Sequence, residues 1–411
     1  MSSRACLVSS FRGAGALRPR SRRSAALVLL LGVLALAGCE KKSGSRSATG
    51  QGRGGGSSDA TEILFGEVAS LTGPEATFGQ SQSRGIALAV REINEAGGVL
   101  GRPIRVITYD NQGRPTESAA AANRLVVRDR VHVLLGEVAS SRSLAMAPIA
   151  EEHRVPMITP ASTNPRVTEG KDWVFRVCFI DPFQGKVMAK FAREELGLSR
   201  VAVLRDVRND YSVGLANFFV DSFRELGGTV VSDQSYSAGD IDFRSQLTEI
   251  RAREPEGIYV PGYYTDVGLI ARQARELGMQ VPLMGGDGWD SSKLYEIGGE
   301  ALDGSYFSNH YSFENPDPVV QTFIAKYREA YGQVPDALAA LGYDAARLAA
   351  DAIARVGSLD RPAIRYALAT TRDFKGVTGT ITMDENHNPV KPAAVLRIRD
   401  RTATFASTIE P

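Results

Sequence analysis

"VLLGEVASS" (residues 133–141) carries an apolar, strand-like run into a small turn bearing hydroxyls, and its core pentapeptide Gly-Glu-Val-Ala-Ser already occurs in "ILFGEVASL" (residues 63–71). A short aliphatic run that gives way to small polar residues reads as a buried strand leaving a sheet. The same grammar continues outward from the two copies. "IRVITYD" (104–110), "VPMIT" (155–159), "VAVLRD" (201–206), "GIYVPG" (257–262) and "VPLMGGD" (281–287) are further strands. Helical spacing separates them, as in Ile86, Ala89, Val90 and Ile93 ahead of the stop signal Gly97-Gly98. Such alternation predicts an α/β fold whose parallel sheets are covered on both faces. In sheets of this kind ligands bind beyond the carboxyl ends of the strands, where helix N-termini offer N–H groups. The two pentapeptides are thus two strand exits that deliver short side chains to a sheet edge.

A chain of 411 residues exceeds what one hydrophobic core usually organises, and predicts two domains. Its first 38 residues hold six arginines, no acidic residue and most of the apolar run "AALVLLLGVLALAGC" (25–39). A basic start followed by an apolar stretch too short for a comfortable membrane span predicts a signal peptide. The run ends in Leu36-Ala37-Gly38-Cys39, which resembles the bacterial lipobox and implies cleavage before Cys39 and its acylation. Residues 39–60 are Gly/Ser-rich, a flexible tether with a reach of about 25 Å. Without the leader the chain holds 42 basic and 47 acidic residues, a net charge of −5, which speaks against nucleic acid as a partner. With Cys39 acylated, Cys178 has no partner for a disulfide and reads as a small buried hydrophobe.

Enzyme signatures are missing from the sequence. His132, His153, His310 and His387 lack metal-ligand spacing, and neither a Gly-x-Ser-x-Gly elbow nor a phosphate-binding loop occurs. No catalytic residue, metal or cofactor is therefore expected.

Five stretches carry a resemblance. "LTGPEATFGQ" (71–80), "GEVASS" (136–141), "TPASTNPRVT" (159–168), "GYYTDVG" (262–268) and "GGDGWDS" (285–291), in this order, resemble the branched-chain amino-acid binding proteins, the periplasmic receptors of ATP-binding cassette importers. The likeness runs from about Ile63 to Phe405. It implies the type I periplasmic binding protein fold, with two Rossmann-like lobes on parallel-sheet cores, joined by three crossovers and closing over an amino acid. The crossovers fall near 177–181, 307–311 and 376–379. They divide the chain into a first lobe of 61–179 and 310–376 and a second of 180–309 and 377–411.

The site residues follow from that likeness and from the chemistry of a zwitterion, whose buried charges must be paired. The hydroxyls of Ser140 and Thr163, with backbone N–H groups near Ala139 and Ala161, are the expected donors to the ligand carboxylate. Asp287 is expected to face the ammonium, with Tyr263 sharing that contact and its neighbour Tyr264 able to exchange roles with it. Phe78 and Tyr211 are placed around the ligand side chain, one from each lobe, and Trp289 along the same cleft. Where well-known members have a disulfide-linked cysteine, this chain has Ala139, and Ser162 replaces a common alanine. Alignment on Gly73-Pro74 leaves Ser70 short of the binding turn, so only the second pentapeptide is assigned a contact.

The sequence thus reads as a periplasmic, lipid-anchored solute-binding protein, expected to be monomeric, that captures an aliphatic amino acid and delivers it to permease subunits. The alternative is a ligand-sensing ectodomain for an amide, aromatic acid or other metabolite; it ranks second because no helix follows Phe405 to carry a signal.

Overall fold

The computed structural model describes residues 62–411, so the leader, the lipobox cysteine Cys39 and the whole of the tether lie outside the described residues. Strand β1 (Ile63–Ala69) opens the body and is followed by α1 (Ala76–Glu95), β2 (Ile104–Asp110), α2 (Pro115–Asn123), β3 (Val133–Leu135), α3 (Ser140–His153), β4 (Met157–Thr159) and β5 (Val174–Arg176). The five strands form one sheet in the order β2-β1-β3-β4-β5, parallel throughout.

The chain then builds α4 (Asp181–Lys190), β6 (Arg200–Asp206), α5 (Asp210–Glu225), β7 (Thr229–Tyr236), α6 (Arg244–Arg251), β8 (Gly257–Tyr259), α7 (Tyr264–Glu276), β9 (Leu283–Gly285), α8 (Ser292–Gly298) and β10 (Tyr306–Asn309). Three helices return to the first sheet's side: α9 (Pro318–Tyr331), α10 (Ala337–Val356) and α11 (Arg361–Ala369). A small hairpin, β11 (Phe374–Gly376) and β12 (Gly379–Ile381), leads to β13 (Ala393–Arg399) and β14 (Thr402–Ile409). These last strands complete a second sheet, β14-β13-β10-β9-β8-β6-β7, in which only β13 and β14 run antiparallel to their neighbours.

Two α/β lobes result. The inner parallel strands β3, β4, β8 and β9 are buried on both faces, which is why they read as unbroken apolar runs, whereas the edge strands β2 and β7 stay partly exposed and carry polar residues. Phe65, Leu135, Ile158 and Phe175 in the first sheet and Val203, Tyr259, Leu283 and Phe307 in the second are fully buried. Each such side chain contributes about 1.5–3 kcal/mol through its removal from water. Local chemistry sets the helix starts: Asn209 caps α5 through Tyr211 N, Asp317 caps α9 through Val319 N, and Asp336 caps α10 through Ala339 N. Cys178 is buried and free, its thiol 3.4 Å from Ser162 O.

Candidate ligand-binding site

The strand exits of both sheets meet across the gap between the lobes. Several bonds tie the facing edges together. Tyr264 Oη donates to Pro74 O at 2.9 Å, Thr77 Oγ1 lies 2.9 Å from Ser291 Oγ, Asn164 Nδ2 donates to Asp210 O at 2.8 Å, and Arg166 pairs with Asp210 at 3.0 Å. Enclosed between the edges is a narrow cavity lined by Phe78, Val138, Ser140, Ala161 and Leu338 on one side and Tyr211, Tyr263, Asp287 and Gly288 on the other. Its volume is about 10 Å³, enough for one water. Anything larger enters only if the lobes part or the aromatic walls swing.

The first-lobe wall is neutral. Ser140 is the first residue of α3, so its N–H and that of Ser141 have no intrahelical acceptor, and the helix dipole adds partial positive charge there. Ser140 Oγ accepts from Asn164 N at 3.2 Å and keeps its own proton to donate. Behind this wall Glu137, fully buried, accepts from Ser70 Oγ (2.6 Å), Asn111 Nδ2 (3.0 Å), Ala139 N (2.7 Å) and Arg142 Nε (2.9 Å).

The second-lobe wall is anionic. Asp287 opens a 3-10 turn after β9; its Oδ1 accepts from Gln184 Nε2 of α4 at 2.8 Å, and His310 Nε2 lies 3.0 Å from its Oδ2. One protein donor on each oxygen leaves each carboxylate oxygen a lone-pair site for a further donor. Tyr211 Oη accepts from Gly288 N at 3.1 Å, and the Tyr211 and Tyr263 rings stack with centroids 5.4 Å apart. A Cβ on Gly288 would come within 2.8 Å of Gly262 O and 2.9 Å of Tyr263 Cδ1, so this turn holds the rings and the carboxylate together only with glycine there. Phe78 meets Tyr263 edge to face at 5.3 Å. Burial, with the Asp287 charge adding to it, raises the Tyr211 phenol well above its ordinary pKa and keeps it a neutral donor. Burial likewise pushes the Asp181 carboxyl, at the head of α4, up to about 8.

Six of the residues singled out in the sequence therefore line one cavity: Phe78, Ser140, Ala161, Tyr211, Tyr263 and Asp287. Three do not. Trp289 is fully buried in the second lobe, its indole N–H donated to Val260 O at 3.0 Å and its ring against Phe307, so the cleft-lining role expected of it is corrected. In a 3-10 turn successive side chains lie about 120° apart, which turns Trp289 away from the face that Asp287 presents. Ala139 also lies outside the lining, because its N–H is committed to Glu137 Oε2 and the helix start one residue on presents the donors instead. Thr163 is buried two residues beyond Ala161, with no hydrogen-bond partner for its Oγ1. Tyr264 is engaged with Pro74, which leaves Tyr263 as the tyrosine at the cavity. Leu338, Gln184 and His310 were not foreseen as part of this site. Gln184 sits in "DPFQG" (181–185), where a glutamine one turn into a helix at a strand exit was the available signal; Leu338 and His310 had none. Among the described residues no cluster of three or more His, Cys, Asp or Glu could hold a metal ion.

A family model described as periplasmic binding protein matches residues 62–403. The chain belongs to the periplasmic binding protein family. Its relatives in that family include the leucine-, isoleucine-, valine-, threonine- and alanine-binding protein of Pseudomonas aeruginosa, 32% identical over 79% of this chain and 87% of that protein. Among solved structures, the leucine binding protein of Thermotoga maritima is 45% identical with a TM-score of 0.82, over 85% of this chain and 99% of its own. The branched-chain amino acid transporter substrate binding protein of Streptococcus pneumoniae, solved in complex with isoleucine, is 33% identical with a TM-score of 0.82, over 85% of this chain and 100% of its own. As a periplasmic binding protein, this chain is of a family that binds substrates for transport.

Proposed function

We propose that this protein captures an aliphatic α-amino acid, leucine, isoleucine or valine first, between its two lobes and delivers it to an importer. The observation that carries the reading is the opposition, across one cavity, of a neutral donor wall at Ser140 and the α3 N-terminus to an anionic wall at Asp287. A carboxylate matches the first and an ammonium the second, while Phe78, Val138 and Leu338 offer an aliphatic side chain apolar contacts once the walls part enough to admit it. The bonded lobe edges correspond to a closed form. Ligand entry requires opening about the chain passages after Arg176, after Asn309 and between Ala369 and Ala393, which we take as the hinges between lobes of 61–179 with 310–376 and of 180–309 with 377–411. The closed surface is then the form that permease subunits recognise.

Acylation of Cys39, anchoring in the periplasm through the tether, action as a monomer and the lack of any catalytic step belong to the same proposal; the lipobox sequence and the family support them. A thermal-shift screen of the twenty amino acids tests the reading. A ligand at a hundred times its Kd stabilises the folded state by about 2.7 kcal/mol. Leucine, isoleucine or valine should raise Tm, and a screen in which no amino acid does so would refute the assignment.

A further inference from the structure

His310 stands where the ligand site meets the passages between the lobes. It follows β10 directly, its side chain is fully buried, and its ring stacks on Phe179 at 3.8 Å between centroids. Phe179 lies in the passage between β5 and α4, so His310 is held by two of the three connections that must bend for the lobes to move. The far side of the ring reaches the site itself, with Nε2 3.0 Å from Asp287 Oδ2.

The tautomer follows from the partners. An ionised carboxylate only accepts, so Nε2 carries the hydrogen and donates it to Asp287. Nδ1 is buried with no partner. As a bare acceptor it is tolerated, but protonation would create a second buried N–H with nothing to bond, which is the costlier orphan. Burial accordingly lowers the pKa of the imidazole, while the hydrogen bond and charge of Asp287 work the other way. The charged groups that face it are Asp287 and Asp290 on the turn after β9 and Lys391 ahead of β13; Asp181 at the head of α4 acts on it through Asp287.

We propose that His310 is a positioning residue for the ammonium subsite: neutral, it aims an ionised Asp287 at the ligand, and protonated, it competes with the ligand for that carboxylate, so that amino-acid affinity falls on acidification. The inference rests on the reading of Asp287 as the ammonium partner. Its physics is mutual exclusion. Without ligand, an imidazolium at 3.0 Å is stabilised by Asp287. With an ammonium on the same carboxylate that stabilisation is shared and a second positive charge stands nearby, so the bound complex holds the His310 proton less tightly. Ligand binding must then release a proton wherever the free protein carries one, and the apparent affinity falls by up to about tenfold for each pH unit below the titration of free His310. Neutral His310 costs the ligand nothing, so affinity is flat at higher pH.

The test is titration calorimetry with leucine from pH 7.5 to pH 5.0, repeated in buffers of different ionisation enthalpy, on the wild-type chain and on His310→Gln, whose amide can donate to Asp287 but cannot take a proton. Expected are binding at pH 7.5 by both proteins, a progressive loss of wild-type affinity towards pH 5.0 with proton release into the buffer, and a flattened profile for His310→Gln. Should the variant fold poorly, the NMR titration of the His310 ring protons in the wild-type chain keeps the inference testable: leucine should move it to lower pH, and an unmoved titration overturns the inference. Binding at pH 7.5 with no proton release and no loss of affinity at pH 5.0, or a His310→Gln profile as steep as the wild type, overturns the inference and leaves the amino-acid reading intact. No leucine, isoleucine or valine binding at pH 7.5 removes that reading and the inference with it.

Discussion

The two Gly-Glu-Val-Ala-Ser segments are identical in sequence and opposite in use. All of the first but Ser70 lies within β1, which continues to Ala69 between β2 and β3; Glu67 pairs in register with Thr108 and Leu135. The second begins only after β3 has ended at Leu135, with Gly136 at a φ of +109° and within what would be 2.2 Å of Val68 O for any Cβ. Glu67 is satisfied by neutral donors alone, Gln82, Ser83 and Thr108, and burial raises its pKa. Glu137 instead pairs with Arg142 at 2.9 Å. Its backbone carbonyl also accepts from the hydroxyls of Ser143, Thr159 and Ser162. The copies even touch: Ser70 of the first donates to Glu137 of the second at 2.6 Å. What five letters do is thus decided by whether the sheet still pairs them. Inside the ladder they are core; one residue past it they organise the loop that presents Ser140.

Substitutions can break this contrast. The largest effect is expected at Glu137→Ala, which leaves the buried Arg142 with only Glu75 as an ion-pair partner and should cost about 3–5 kcal/mol of stability in urea unfolding. Glu67→Ala, which strands neutral donors only, should cost about 1–3 kcal/mol. Equal losses would mean that the two glutamates do the same work.

Ser140→Ala should weaken leucine binding by about 1.5–3 kcal/mol, the worth of a hydrogen bond to a charged group, with little change in Tm. Ser70→Ala should do the reverse, lowering Tm and sparing affinity. A Ser70→Ala variant of full stability that binds as poorly as Ser140→Ala would exchange their roles.

The smallest effect concerns Glu67 and pH. Its folded pKa lies above the unfolded value, so the folded state binds more protons between the two, and stability falls as pH rises from about 4.5 through the folded pKa. Glu67→Gln should flatten that part of the stability profile and stay within about 1 kcal/mol of the wild type at pH 7. An unchanged slope would place the titration elsewhere.

Much of this was legible in the sequence, for definite reasons. Doubly covered parallel strands must be apolar throughout, so β1, β3, β6 and β9 announce themselves; the exits after them mark where a ligand could lie, but the roles given to Ser140, Ala161 and Asp287 came from the resemblance to the branched-chain amino-acid binding proteins. What stayed hidden depends on distance rather than order. Leu338 arrives on α10 and His310 on a passage between lobes, with no local pattern to mark either. Trp289 misled because an aromatic residue two places from Asp287 looks like cleft wall, whereas the tightness of the turn sends it into the core.

The central claim is that Asp287 binds the ammonium of an amino acid. Titration calorimetry of leucine at pH 7.5 against the wild-type chain and Asp287→Ala tests it most directly. The variant should lose about 3–5 kcal/mol of binding free energy, as expected when one partner of a buried ion pair is removed. Unchanged affinity in Asp287→Ala would contradict the account.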